Sequence, residues 1–290
     1  CTMSKLFDYE NTCCSWYTQN EQIAHLFTRY ALPIKWDFAE ASPLGGASGS
    51  WDSMLDSLEK SVQNAMKLPC NMHTAKIFNN SAVSFKDEKI DLILTDPPYY
   101  DAIPYSDLMD FFYIWLRRIL YGLSSELDKF FQGLYSPKWD HEKQDGELID
   151  DSSRFGDDKE KSKTNYEEGM FRVFQRCYES LQVDGRTVVV FANKKPEAWE
   201  TLVSAMIRAG FIVTASWPIM TEMRGGVRNL NRASLASSIW LVCKKRPQSV
   251  RPGWDNKVLE GMREKIILRL RQSWDEGVRG PDFVWSADGI

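Results

Sequence analysis

Apolar positions along this chain fall into blocks that switch between the two periods of regular structure. Ile90-Asp91-Leu92-Ile93-Leu94-Thr95 is nearly continuous, and Arg186-Thr187-Val188-Val189-Val190-Phe191 reads the same way. Such runs predict strands buried on both faces of a parallel sheet. Between and around them the period is helical. Residues 51–67 follow a Ser50 N-cap, with Met54, Leu55, Leu58, Val62 and Met66 on one face. Residues 106–121 carry Leu108, Phe111, Phe112, Trp115, Leu116 and Ile119 at i, i+3, i+4 spacing. Met170, Val173, Phe174, Cys177, Tyr178 and Leu181 form a third stripe, ended by a turn at Asp184-Gly185. Pro196 opens a fourth helix at a position that suits proline. Its buried face is Trp199, Leu202, Met206 and Ile207, and Gly210 caps it.

Strands are predicted at 211–217, ended by Pro218, and at 237–244. No helix separates these two, so they pair antiparallel. The pattern is weaker elsewhere. It predicts a helix over 21–30, short strands at 34–38 and 74–78, and a loop at 41–50. Residues 136–165 are dense in charge and read as a mobile insertion or solvated loop. Residues 254–274 read as an amphipathic helix with Val258, Leu259, Met262 and Ile266 inward. The fold class is therefore α/β, a parallel sheet closed by an antiparallel hairpin. The segments group as an N-terminal part (1–73), a core (74–246) with the insertion 136–165, and a helical extension (247–290).

Composition narrows the picture. A chain of 290 residues with 43% apolar and 26% charged residues is an ordinary globular one. No run approaches the roughly 18 apolar residues a spanning helix needs. No signal segment opens it, so no membrane contact and a cytoplasmic location are expected. Its six cysteines include no C-x-x-C pair, and with three histidines no metal site is expected. Cys177 and Cys243 fall on apolar faces and read as core. The net charge of −4 argues against a broadly basic surface, so any anion-binding region must be local.

The chemistry concentrates at Asp96-Pro97-Pro98-Tyr99, directly after the first strong strand. Ligands in open α/β sheets bind beyond the carboxyl ends of strands. The lone pair of an exocyclic amine on a nucleobase is delocalised into the ring. Two acceptors on its N–H groups push that lone pair toward sp³ and free it to attack a methyl donor. Asp96 supplies a carboxylate and Pro97 a carbonyl. The prolines restrict the backbone, so both acceptors are placed before the substrate arrives. Tyr99 offers a stacking face, and a paired base must first leave the duplex. The route needs no covalent intermediate, whereas attack at a ring carbon would call for a nucleophilic cysteine. Tyr100 and Tyr105 are candidates for shaping the base pocket; packing at a helix start accounts for them equally well.

Lys194, Arg224 and Arg228 are the candidate phosphate contacts, close to strand ends. The cluster Gly45-Gly46-Ala47-Ser48-Gly49 is the only internal candidate for a donor-binding glycine turn. It leaves too little chain before Asp96 for the two strand–helix units such a turn should precede. The donor motif is instead expected upstream of Cys1.

Residues 30–40, 95–113, 115–118, 190–201, 209–223 and 233–246 together resemble one family. It comprises the large prokaryotic adenine-specific DNA methylases that carry an uncharacterised N-terminal domain and a zinc ribbon. The resemblance covers about residues 28–285. It implies a Rossmann-like S-adenosylmethionine-dependent methyltransferase fold, here with only its second half complete. It implies S-adenosyl-L-methionine as donor and adenine N6 in DNA as target. It places the family's motif on Asp96, Pro97, Pro98 and Tyr99. Some members belong to phage-defence clusters, which implies further subunits as partners. Asp37 and Glu40, in a segment that recurs in the family, are candidate cofactor contacts with a structural role equally open. The family's zinc ribbon and glycine-rich motif are absent from this stretch. From the motif alone, cytosine N4 or an RNA amine serves as well as adenine, and a non-catalytic nucleic-acid- or partner-binding piece remains an alternative.

Overall fold

The structure is a computed structural model. It describes residues 2–18, 20–27, 31–67, 76, 78, 80–85, 89–101, 103–132, 146–193, 195–220, 237–247, 255–275 and 277. In chain order the elements are α1 (Thr2–Tyr9), β1 (Ser15–Tyr17), β2 (Gln22–Ala24), α2 (Trp51–Met66), β3 (Ile90–Thr95) and α3 (Tyr105–Leu120). There follow α4 (Ser125–Asp128), α5 (Lys159–Ser180), β4 (Leu181–Phe191), α6 (Pro196–Arg208), β5 (Phe211–Met220), β6 (Ser237–Lys245) and α7 (Asp255–Asp275). Two compact units emerge: Cys1–Phe78 with Pro104–Asp140, and Asn79–Ile103 with His141–Ile290.

The second unit is mixed α/β around a four-stranded sheet of order β3-β4-β6-β5. β3 and β4 run parallel, β6 is antiparallel to β4, and β5 and β6 form the expected antiparallel pair. Period-two alternation builds its core. Thr187, Val189 and Phe191 of β4 and Ile239, Leu241 and Cys243 of β6 point to the buried face. Met170 and Phe174 of α5 and Leu202 and Met206 of α6 close over them. Burial pushes the Cys243 thiol up to about 12 and that of Cys177 to about 11, as expected of core thiols. Gly210 takes the left-handed conformation (φ 98°) that ends α6 and starts β5.

Several expectations change. β3 lies at the sheet edge, pairing only with β4 among the described residues, and Leu92 and Leu94 are each 60% exposed. Its continuous apolar run is therefore not a sign of burial on both faces here. Asp184-Gly185 is not a turn before the strand but an irregularity within β4, where the register with β3 shifts between Ile90 and Leu92. A Cβ on Gly185 would sit 2.9 Å from the Asp91 carbonyl oxygen, so glycine permits the close strand approach. β5 continues through Pro218, which pairs with Ile239. An edge strand can hold a proline because its outward side needs no donor. Part of the charged segment is also built structure. Ile149 is buried, Ser152–Phe155 forms a 3₁₀ turn, and α5 begins at Lys159 behind an Asp158 N-cap.

In the first unit, β1 and β2 form a small antiparallel pair. Over the described residues 21–27 of the helix expected at 21–30, no helix forms because Glu21 (φ 49°) and His25 (φ 67°) are left-handed. Asp8 fixes that turn, accepting from the Leu26 amide at 2.9 Å. Cys14, Ile23 and Leu26 are packed by Phe7, Phe27 and Phe111, the last from α3. Residues 34–38 form no strand; Ile34 and Trp36 find no ladder and are almost wholly exposed. α2 has the expected Ser50 cap, yet none of its residues is buried, and Leu55, Val62 and Met66 are exposed. The strand expected at 74–78 lies mostly outside the described residues, and Lys76 and Phe78 are not in a strand. In α7 the side chains of Val258, Leu259 and Met262 lie outside the described residues; Ile266 is half-buried.

Candidate active site

The parallel pair β3–β4 delivers two chain ends to the same side of the second unit. After Thr95 the chain turns through Asp96, Pro97, Pro98, Tyr99 and Tyr100; after Phe191 it turns through Ala192 and Asn193. Asn193 ties the two together. Its side-chain amide donates to the Tyr99 carbonyl at 3.1 Å, and its side-chain oxygen accepts from the Lys195 amide at 2.9 Å. Its own carbonyl accepts from the Trp199 indole at 2.9 Å. Lys195 forms an ion pair with Asp101, whose carboxylate raises the lysine's pKa above its ordinary value.

The aromatic residues of the turn point into the fold. The Tyr99 ring meets Phe191 edge to face, at 5.5 Å and 78°, and Phe191 meets Trp199 the same way at 4.9 Å. Tyr100 is buried, with its ring against Tyr166 at 5.1 Å and 89°. Its backbone is left-handed (φ 60°), which costs a bulky L-residue about 1–3 kcal/mol. Packing and hydrogen bonds hold it there. The Tyr166 hydroxyl donates to the Pro98 carbonyl at 2.7 Å and accepts from the Tyr100 amide at 3.2 Å. The Tyr100 carbonyl accepts from the Asp150 amide at 3.1 Å. The Tyr100 phenol bonds the Asp150 carboxylate, which also accepts from Ser162 at 2.6 Å. Burial foremost, then that carboxylate, pushes the Tyr100 phenol well above its usual range.

The acceptors divide sharply. Pro98's carbonyl is taken by the Tyr166 hydroxyl and by the Tyr100 amide at 2.9 Å. The exposed Asp96 carboxylate and the Pro97 carbonyl have no hydrogen-bond partner among the described residues. Asp96, Pro97 and Pro98 line a cavity of about 540 Å³, with Ser81–Val83 and Gly146–Leu148 on other sides. Met170, Arg172, Val173 and Phe174 of α5 complete its wall. The volume falls in the range of small-molecule pockets, apolar with a few polar groups. Tyr99 and Tyr100 are not among its lining residues.

Asp96, Pro97, Pro98, Tyr99 and Tyr100 are thus brought together in one unit. Asp37, Glu40 and Tyr105 belong to the other. Asp37 and Glu40 are exposed and partnerless among the described residues, and Tyr105 opens α3 with its side chain exposed. Lys194, Arg224 and Arg228 lie outside the described residues. Within the described residues, the Gly45–Gly49 turn does not have the strand–turn–helix setting of a donor loop for S-adenosyl-L-methionine. Residues 31–44 form no strand leading into Gly45–Gly49, and a Cβ on Gly49 would lie 3.1 Å from Tyr9 and Glu10. Gly49 is packed against its own unit, whereas Gly45 to Ser48 are exposed. The described residues also hold no cluster of three or more metal-ligating side chains, and no helix long and apolar enough to cross a membrane.

Asn193, Tyr166 and Asp150 were not among the candidates from sequence. Asn193 lies just past the end of the strand predicted at 186–191, where open α/β sheets present ligand-facing residues, and that position was a usable signal. Tyr166 and Asp150 adjoin or lie within a charge-dense stretch, and nothing local marks either.

Comparison with protein-family models finds no match, and no curated protein matches. Among solved structures, a candidate DNA modification methylase from Thermus thermophilus aligns at 12% identity and a TM-score of 0.26. The alignment covers 65% of this chain and 59% of that one, so this chain spans less than two thirds of its neighbour.

Proposed function

We propose that this chain carries the acceptor side of a methyltransferase acting on the N6 amine of adenine in DNA. The observation that supports it most is the pair of open acceptors at the end of β3. Asp96 and Pro97 line one cavity and are unpaired among the described residues, while the neighbouring Pro98 carbonyl is already occupied. An amine with two N–H groups needs two such acceptors, side by side and fixed. Bound between them, it keeps its lone pair away from the ring and directed at the methyl donor. The turn is anchored by Asn193, Tyr166 and Phe191, so little reorganisation remains when the base enters.

S-adenosyl-L-methionine is the donor that the family resemblance implies; when bound it supplies an electrophilic methyl group. DNA is the partner on the same ground, with Lys194, Arg224 and Arg228 as proposed phosphate contacts; the Tyr99 ring packs on Phe191 and is outside the cavity lining, so the stacking role expected of it is not part of the proposal. The fold proposed is the second half of a Rossmann-like methyltransferase sheet. A second reading is favoured by one observation: no strand leads into the Gly45–Gly49 turn, so it lacks the setting of a donor loop. On that reading the chain binds nucleic acid without transferring methyl groups. Cytosine N4 remains the alternative acceptor, since it presents the same donor pair.

Single-molecule sequencing of DNA from cells expressing the protein separates these readings. New N6-methyladenine at discrete sites is expected with the wild type. Asp96→Ala should lower it by roughly a thousandfold, the upper range for removing one transition-state hydrogen-bond partner. Equal methylation by wild type and variant, or none by the wild type, would sink the proposal.

A further inference from the structure

We propose that Tyr166 is a positioning residue for the acceptor turn, and that it selects which main-chain carbonyl the substrate amine meets. This rests on the acceptor role given to Asp96 and Pro97. Two consecutive proline carbonyls follow Asp96, and an incoming amine needs only one. The Tyr166 hydroxyl donates to Pro98 at 2.7 Å and so removes that carbonyl from competition. The same oxygen accepts from the Tyr100 amide at 3.2 Å, which pins the left-handed residue that reverses the chain. One phenol therefore satisfies an acceptor and a donor of the turn at once.

Tyr166 suits this task. It is completely buried on α5, where burial raises its phenol pKa, so the group keeps its proton at neutral pH and stays a donor. Ser162 lies one helical turn earlier, on the same face. It donates to Asp150 at 2.6 Å, and Asp150 in turn donates its amide to the Tyr100 carbonyl at 3.1 Å. A single face of α5 thus holds the amide and carbonyl of Tyr100 through separate links. Without the Tyr166 hydroxyl, the Pro98 carbonyl is left with the Tyr100 amide alone. The Pro97–Pro98 peptide is then less restrained, and the Pro97 carbonyl loses its fixed direction beside Asp96. None of this brings Tyr166 into contact with the substrate; it acts through the turn.

The test is Tyr166→Phe in the full protein, which keeps the ring and its packing. Hydrogen exchange at the Tyr100 amide should speed up about tenfold, the equivalent of one lost net hydrogen bond. With DNA as substrate, kcat should fall at least tenfold while KM for DNA stays within about twofold, since Tyr166 touches no substrate and the misaimed Pro97 carbonyl is felt in the transition state. Ser162→Ala, which loosens only the Asp150 link, should give a smaller loss of about threefold in kcat. It also serves if the Phe variant does not fold. Unchanged exchange in Tyr166→Phe would overturn the proposal. So would an unchanged kcat, or a fall in kcat matched by the unfolded fraction. If the wild type transfers no methyl group, the proposed function fails on its own, and the exchange measurement still decides whether Tyr166 holds the turn.

Discussion

Two proline-bearing segments carry candidate ligand-binding acids, and they are held in opposite ways. After β3, Asp96 stands at the head of a turn whose next four residues are half-buried or buried. That turn is bonded to Asn193, Tyr166 and Asp150. Before α2, the segment around Asp37 and Glu40 has Ile34 at 91% and Trp36 at 94% exposure. Its side-chain tether is Lys35 to the Ser15 hydroxyl at 3.0 Å. Both segments combine proline, aromatic and acidic residues, so local composition does not separate them. The difference is tertiary. Asp96 follows a strand whose neighbour, β4, brings Phe191 and Asn193 alongside, whereas Asp37 follows no strand. Pre-placement of an acceptor needs that second chain.

The comparison can be broken first at Phe191, the ring between Tyr99 and Trp199. Phe191→Ala removes a wholly buried side chain and should cost about 3–5 kcal/mol, readable by urea unfolding. A loss under about 1 kcal/mol would mean that the acceptor turn does not lean on the core.

Lys195 and Asp101 test a weaker link of the same turn. Because the folded pKa of Lys195 is raised, its contribution is fully present below the unfolded lysine value and is lost as pH rises through the folded one. More than half of its side chain is exposed, so solvent discounts the pair to about 0.5 kcal/mol. Stability of the wild type should therefore fall slightly more than that of Lys195→Met as pH is raised past about 10. Parallel profiles would remove the ion pair from the account.

The smallest effect belongs to the other segment. Trp36→Ala should change stability by less than about 0.5 kcal/mol in thermal unfolding. A larger loss would show that Trp36 is covered, and the contrast between the segments would collapse.

What the sequence revealed follows the same line. The helices α2, α5 and α6 were legible because each repeats one period over many residues, and the strands β3 to β6 because each is an apolar run or alternation bounded by turn residues. Short pieces that depend on a partner were not. The β1–β2 pair replaces a predicted helix because left-handed backbone at Glu21 and His25 leaves no periodic trace. Residues 136–165 read as solvated by composition, yet within them Arg154 pairs with Glu147 with both side chains at most 10% exposed. Charges that neutralise each other inside read like charges facing water. Asp96 stands out in the sequence because a proline pair after an apolar run is unusual. Tyr166 does not, because its bonds to Pro98 and Tyr100 arise only when α5 is laid against the turn. β3 was the instructive error: its apolar run predicted cover on both faces, and Leu92 and Leu94 are open instead.

The central claim is that Asp96 and Pro97 receive an exocyclic amine. Incubation of the protein with duplex DNA and isotopically labelled S-adenosylmethionine, followed by nucleoside mass spectrometry, tests it most directly. The account predicts label on the N6 nitrogen of adenine, and none with Asp96→Ala that remains folded. Label on a ring carbon, or equal labelling by wild type and Asp96→Ala, would contradict it.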